Sequence, residues 1–286
     1  MRVALATTPA ARDIDEDYPP LARAFAARGH EPEAPCWDDP GVDWSRYGVV
    51  LLRSTWNYTE DLAAFLAWAE AVSRVTRLYN PVATLRWSTD KRYLLDLERA
   101  GVPIVPTTVS SAAERWRPPA HADFVLKPVV GAGSRGAARF GAAELEAAAA
   151  HAQRLQAQGH GILTQPYLES VDDHGETALL YYDGAFSHAV RKGPLLKPGG
   201  GEVEGLFARE TIDARAPAAD ELEIAGRAVA AIPGGAPLYA RVDLIRGARG
   251  IPCVLELELA EPSMFFDHAA GSAERFAARV LARLNA

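Results

Sequence analysis

The run Val254-Leu255-Glu256-Leu257-Glu258-Leu259 alternates apolar and acidic side chains with a period of two. Successive strand residues point to opposite faces, so an extended chain puts Glu256 and Glu258 on one face and the three leucines on the other. Upstream, Tyr239-Ala240-Arg241-Val242-Asp243-Leu244 has the same texture, with Arg241 and Asp243 sharing a face. A turn at Arg249-Gly250 would join the two runs as an antiparallel hairpin. Counting back from it sets Asp243 opposite Glu256, because cross-strand partners share a face. Three carboxylates then converge. A solvated outer sheet face would explain Glu-Leu-Glu-Leu in isolation. Arg241 weakens that reading, since a cation beside a carboxylate cluster can stabilise negative charge during phosphoryl or acyl transfer. Repulsion among Asp243, Glu256 and Glu258 calls for a divalent cation, and such oxygen donors suit magnesium bridging substrate phosphates.

The rest of the chain has two textures. Up to about residue 80, strand and helix alternate: strands at Val3–Ala6 and Gly48–Leu52, helices at Pro20–Arg28 and Asp61–Val75. This predicts a small parallel α/β unit, with ligands beyond the carboxyl ends of its strands, where Arg53-Ser54-Thr55-Trp56 stands. A helix follows from about Asp90 to Ala100. From Pro103 the chain is β-rich, with strands expected at Ile104–Val109, Phe124–Lys127, Ile162–Gln165, Thr177–Tyr182, Phe186–Arg191, Leu238–Ile245 and Pro252–Leu259. Helices at Ala142–Gln158 and Ala219–Ala231 and a hairpin at Asp183-Gly184 make this part α+β with antiparallel pairing.

At 286 residues the chain can bury a large core without disulfides or metal staples. Its 30 basic and 37 acidic residues leave a net charge of −7, which argues against nucleic acid or anionic membrane as partner. Two cysteines, far apart, indicate neither a disulfide framework nor a zinc site and suit a reducing cytoplasm. No stretch has the roughly 18 uncharged apolar residues of a membrane helix.

Gly131-Ala132-Gly133-Ser134-Arg135-Gly136 matches GxGxxG directly after the strand Phe124–Lys127. A dinucleotide fingerprint needs a helix to start there and an acidic end to the next strand, yet Gly141 intervenes and that strand ends in Gln165. A P-loop fails because Ala137 and Ala138 stand where Lys and Ser or Thr belong. There remain an ordinary glycine-rich turn, and a turn whose N–H groups close on phosphates. Lys127 at the strand's end and Lys91 in the first turn of its helix favour the second, as cations for a polyphosphate. Arg53, at a strand's carboxyl end, is placed to clamp a substrate carboxylate. Trp56 and Tyr58 either line a substrate pocket or belong to the core.

In order, Lys91, Lys127-Pro128 with its glycine loop, Gln165-Pro166-Tyr167-Leu168, Gly175-Glu176, Arg191, Arg241-Val242-Asp243 and Glu256-Leu257-Glu258 resemble the ATP-grasp superfamily, nearest its glutathione-synthetase-like branch. The segments Arg53–Tyr58, Phe186–Lys192 and Glu256 to Ser263 are similar to the cyclo-ligases that form D-cycloserine from O-ureido-D-serine. The resemblance implies an amino-terminal α/β domain (1–80) and an ATP-grasp body (81–286), the body divided into a glycine-loop subdomain (about 105–165) and a metal-site subdomain (about 166–286). It implies ATP held by Lys91, Lys127, Gly131, Gly133, Ser134, Gly136, Gln165, Tyr167 and Leu168, with Glu176 on the ribose. Arg191, Lys192 and Arg241 would act on the transferred phosphoryl group, and Asp243, Glu256 and Glu258 would bind Mg2+. A small amino-acid-like substrate would meet Arg53, Ser54, Trp56, Tyr58, Gly200, Gly201 and Ser263. Many members carry Asn where Glu258 stands, so this site has an extra negative charge. The glycine segments Gly131–Gly136 and Leu195–Leu206 would close over ATP. The implied activity is an ADP-forming carbon–nitrogen ligase, intramolecular or condensing; a nucleotide-binding module without turnover and a nicotinamide oxidoreductase are the rivals. A homo-oligomer is compatible with all of these.

Overall fold

The computed structural model describes residues 1–120, 123–196 and 211–285. The amino-terminal part forms the expected parallel sheet, from β1 (Arg2–Thr7), β2 (Glu31–Glu33), β3 (Val49–Ser54) and β4 (Arg77–Tyr79), in the order β2-β1-β3-β4. Residues 3–6 and 49–54 are almost wholly buried, because the sheet is covered on both faces. One cover is the helix Leu62–Val75, started by Asp61, whose side chain accepts from the Ala64 N–H. The other combines Tyr18–Ala26 with the last helix, Ser272–Leu284, which buries Ala273, Phe276, Ala277 and Val280 at helical spacing. The sequence patterns missed the two short edge strands, whose three residues each are too few to show a period.

A second sheet runs β5-β8-β6-β7, from β5 (Thr108–Ser110), β6 (Asp123–Pro128), β7 (Ala138–Gly141) and β8 (Ile162–Pro166), all antiparallel. The expected strand Ile104–Val109 shrinks to β5, plus an isolated bridge at Ile104. The glycine segment Gly131–Gly136 is the connection between β6 and β7, which pair through Leu126 and Ala138. A strand follows this GxGxxG where a dinucleotide fold needs a helix, which removes the oxidoreductase reading.

The third sheet runs β11-β10-β9-β12-β13, from β9 (Glu176–Tyr182), β10 (Ala185–Lys192), β11 (Ile212–Arg215), β12 (Tyr239–Arg246) and β13 (Pro252–Glu258). The helix Ala219–Ala230 lays Ile224, Ala225, Ala228 and Val229 against Val242, Leu244, Leu257 and neighbours on one face. The other face of this sheet carries the acidic residues.

Asp243 pairs with Glu256 and Arg241 with Glu258, as counting back from the turn predicts. The route differs in one respect. The turn is centred on Arg249 rather than between Arg249 and Gly250, with Arg246 opposite Pro252, and a bulge between Asp243 and Leu244 restores the register by leaving Leu255 as the extra residue. Leu255 therefore leaves the leucine face and packs with Val105 and Ile245, whereas Leu257 and Leu259 stay in the core.

Candidate active site

One cleft is lined from the second and third sheets and from the segment after β3, and most of the expected residues meet in it: Lys91, Lys127, Gly131, Gly133, Ser134, Gln165, Tyr167, Leu168, Glu176, Lys192, Arg241, Glu256, Glu258, Trp56, Tyr58 and Ser263. Alternation on β12 and β13 delivers Arg241, Glu256 and Glu258, and they arrive already paired. Arg241 holds Asp243 Oδ1 at 2.7 Å and Oδ2 at 2.8 Å and also bonds Glu258. Lys192 lies 3.1 Å from both Asp243 Oδ2 and Glu176 Oε2. Lys91, in the turn before the helix Tyr93–Arg99, donates to Glu256 Oε1 at 2.5 Å and to the Gly131 carbonyl at 2.9 Å.

Burial alone would raise the pKa of Asp243, but Arg241 and Lys192 outweigh it and hold the carboxyl at about 2. Glu258 goes the other way. Burial, with Glu256 and Asp243 nearby, lifts it to about 8 despite Arg241.

Lys127 at the end of β6 is in the opposite state. Among the described residues it has no hydrogen-bond or salt-bridge partner, and burial, with Lys91 and Lys192 close by, lowers its pKa. Next to it, Gly133 and Ser134 both have φ of 61°, bending the turn. At the end of β8, the Gln165 amide donates to Thr107 Oγ1 at 2.9 Å, and just after it the Tyr167 ring has the Arg139 guanidinium 3.4 Å from its centre.

Several expected residues stand elsewhere. Arg191 and Lys192 are neighbours on β10, so only one can face the cleft. It is Lys192; Arg191 donates to the main-chain carbonyls of His174 at 2.9 Å and Asp173 at 3.1 Å. Arg53 is 1% exposed and lies off the lining, with Nη2 on Asp17 at 3.2 Å and Nη1 on the Pro262 carbonyl at 3.1 Å. It cannot clamp a substrate carboxylate from there. Ser54 bonds Thr7 Oγ1 at 2.7 Å, inside the first sheet. Gly136 (φ +74°) is also off the lining; a Cβ there would meet Pro128 Cδ at 3.1 Å, so this glycine serves close packing. Asp243 sits beneath the lining, its oxygens taken by Arg241 and Lys192. Gly200 and Gly201, and most of Leu195–Leu206, lie outside the described residues, although Leu195 and Leu196 do line the cleft.

Sequence reasoning missed Asp17 and Glu261. Asp17 accepts the N–H groups of Met264 at 2.6 Å and Phe266 at 3.0 Å, fixing the loop after β13. Trp56 donates to the Glu261 carbonyl at 3.4 Å in the same loop, and His188 bonds the Met264 carbonyl at 2.8 Å. Glu261 is 7% exposed and lines the cleft, and burial raises its pKa to about 7 although Lys91 pulls it down. Nothing periodic marks either residue, and only Glu261's place between Glu258 and Ser263 could have drawn attention to it.

A parallel α/β sheet and two antiparallel sheets closing on a cleft of lysines and carboxylates define an ATP-grasp ligase. D-alanine–D-alanine ligase from Bacillus anthracis shares the fold, with a TM-score of 0.73 at 14% identity over 100% of this chain and 97% of that one. Residues 3–80 match the family described as the amino-terminal domain of D-cycloserine synthetase DcsG. The cycloserine biosynthesis protein DcsG of Streptomyces lavendulae is 44% identical over 298 residues, covering 99% of this chain and 98% of that protein. The crystal structure of D-cycloserine synthetase DcsG superposes with a TM-score of 0.91 at 41% identity, over 99% of this chain and 100% of that one. The chain belongs to the DcsG family of ATP-grasp ligases. Among its described residues no helix is long and apolar enough to cross a membrane.

Proposed function

We propose that this ligase cyclises O-ureido-D-serine to D-cycloserine with ATP as the second substrate. The observation that carries the reading is 44% identity to DcsG over 99% of a chain whose cleft holds Lys127, half-buried and without a hydrogen-bond or salt-bridge partner among the described residues, beside a glycine turn. Lys91, Lys127 and the turn Gly131–Ser134 would take the phosphates, with the base against Gln165, Tyr167 and Leu168 and the ribose on Glu176. A desolvated ammonium that forms no direct ion pair among the described residues is poised for a phosphate.

The residues also fit a magnesium ion. Their donors are hard carboxylate oxygens gathered on one sheet face, where a cation would relieve their mutual repulsion. As they stand, no three acidic, histidine or cysteine groups among the described residues form a ready metal-holding cluster. Glu256 and Glu258 would hold the ion, with Asp243 behind them. When bound, it would neutralise phosphate charge during transfer.

In this reading the substrate carboxylate attacks the γ-phosphate of ATP, giving an acyl phosphate and ADP, and the oxygen-bound ureido nitrogen then displaces phosphate to close the ring; water takes the carbamoyl group off that nitrogen, as carbamate that breaks down to CO2 and ammonia, to leave D-cycloserine. Arg241 and Lys192 neutralise the transferring group, and the closed cleft keeps water from the acyl phosphate. Nucleophile and electrophile belong to one molecule, so no second acceptor has to be oriented. A condensing ligase is the alternative. The test is ADP release with O-ureido-D-serine as the sole organic substrate, with the product mass checked. Release that requires an added amine and gives an amide-linked product would replace the cyclo-ligase reading by the condensing one.

A further inference from the structure

Among the described residues four glutamates line the cleft: Glu176, Glu256, Glu258 and Glu261. Three are engaged, by Lys192, Lys91 and Arg241 respectively. Glu261 has no salt-bridge partner among the described residues. A buried carboxylate without a cation is costly unless a ligand supplies one.

Its backbone is held from several sides. Trp56 bonds its carbonyl, Arg53 the carbonyl of Pro262, and Asp17 the N–H groups of Met264 and Phe266. Such locking is what a binding group needs if it is to meet a ligand without reorganising. Its companions in the cleft, Trp56, Tyr58 and Ser263, come from the loops around the first sheet, whereas the segment Gln165–Leu168 belongs to the second. Anionic parts of the reactants already have Lys91, Lys127, Lys192 and Arg241. Among the described residues of the cleft, a cationic part has only one unclaimed carboxylate.

We propose that Glu261 binds the α-ammonium group of the amino-acid substrate and so sets the requirement for an amino acid rather than a simple carboxylic acid. The assignment rests on the cyclo-ligase reading above. Ion pairing in a water-poor cleft converts the amino group into specificity, because a ligand without it leaves the carboxylate unpaired.

The experiment compares ADP release with O-ureido-D-serine and with 3-(ureidooxy)propanoate, which lacks only the amino group, in the wild-type chain and in Glu261→Gln. The expected wild-type ratio of kcat/KM between the two compounds is at least tenfold, and in Glu261→Gln it shrinks to within about threefold, chiefly through KM for O-ureido-D-serine. A purely structural role would lower both compounds together and leave the ratio unchanged, which overturns the proposal. A wild-type chain that uses both compounds within twofold overturns it whatever the variant does. If the wild-type chain releases no ADP with O-ureido-D-serine while Mg2+ and ATP still raise its melting temperature, the cyclo-ligase reading itself fails and takes this assignment with it.

Discussion

Two buried arginine–aspartate pairs flank this cleft and do different work. Arg241 and Asp243 share one face of β12 and open onto the cleft, where Glu258, Lys192 and Phe265 surround them. Arg53 and Asp17 come from β3 and the turn before the first helix, and their remaining bonds go to main-chain atoms of residues 262–266. The first pair leaves its charge within reach of a ligand. The second spends its charge on fixing a loop. Whether a buried arginine is available for binding thus depends on where its partners hold the guanidinium, on the cleft lining for Arg241 and off it for Arg53, not on its position at a strand end.

Breaking the closed pair should cost most. Arg53→Met leaves Asp17 buried without its cation, and loss of one partner from such a pair costs about 3–5 kcal/mol. Denaturant unfolding reads this directly, and a loss below about 1 kcal/mol would mean that the pair does not hold the loop. The open site should respond in activity. Glu256→Gln should lower kcat/KM a hundredfold to a thousandfold, about 3–4 kcal/mol of barrier, while stability stays near that of the parent. Near-normal turnover would remove Glu256 from the magnesium site.

What the sequence made legible follows the same division. Period-two alternation and antiparallel pairing gave Asp243 opposite Glu256, because register follows from a turn and a pattern. Even there the bulge at Leu255 was invisible, since one extra residue looks like continued alternation. Arg191 was taken with Lys192 although neighbours on a strand must part to opposite faces. Arg53 was misread because its partners lie 36 and 209 residues away, a tertiary fact without local signature. Glu261 and Asp17 stand in loops, where no period reports burial.

A third anchor of the loop can be loosened by acid. Burial pushes His188 down to about 4, with Arg275 and His268 adding to it against the bond to the Met264 carbonyl. The folded chain then binds this proton less readily than the unfolded chain, whose histidine titrates near 6.5. The contribution is intact above pH 6.5, falls as pH drops, and levels off near pH 4, by about 3 kcal/mol at most. Stability measured against pH should fall less steeply across that window in His188→Gln than in the parent; parallel curves would contradict the shift.

The smallest effect should come from the exposed Arg135–Glu60 pair at 2.9 Å, which ties the glycine turn to the loop after Trp56. Pairs in water contribute under about 1 kcal/mol, so Glu60→Gln should change the melting temperature little. A larger drop would mean that the turn is held there as firmly as the loop is held by Arg53.

The central claim is that charge gathered on β12 and β13 activates a carboxylate of the same molecule that supplies the nucleophile. Substrate labelled with 18O in both carboxylate oxygens tests it in one turnover. An acyl phosphate transfers one of those oxygens to phosphate, so the account predicts phosphate carrying one 18O for each ring closed. Unlabelled phosphate, released with ADP while the ring closes, would contradict it.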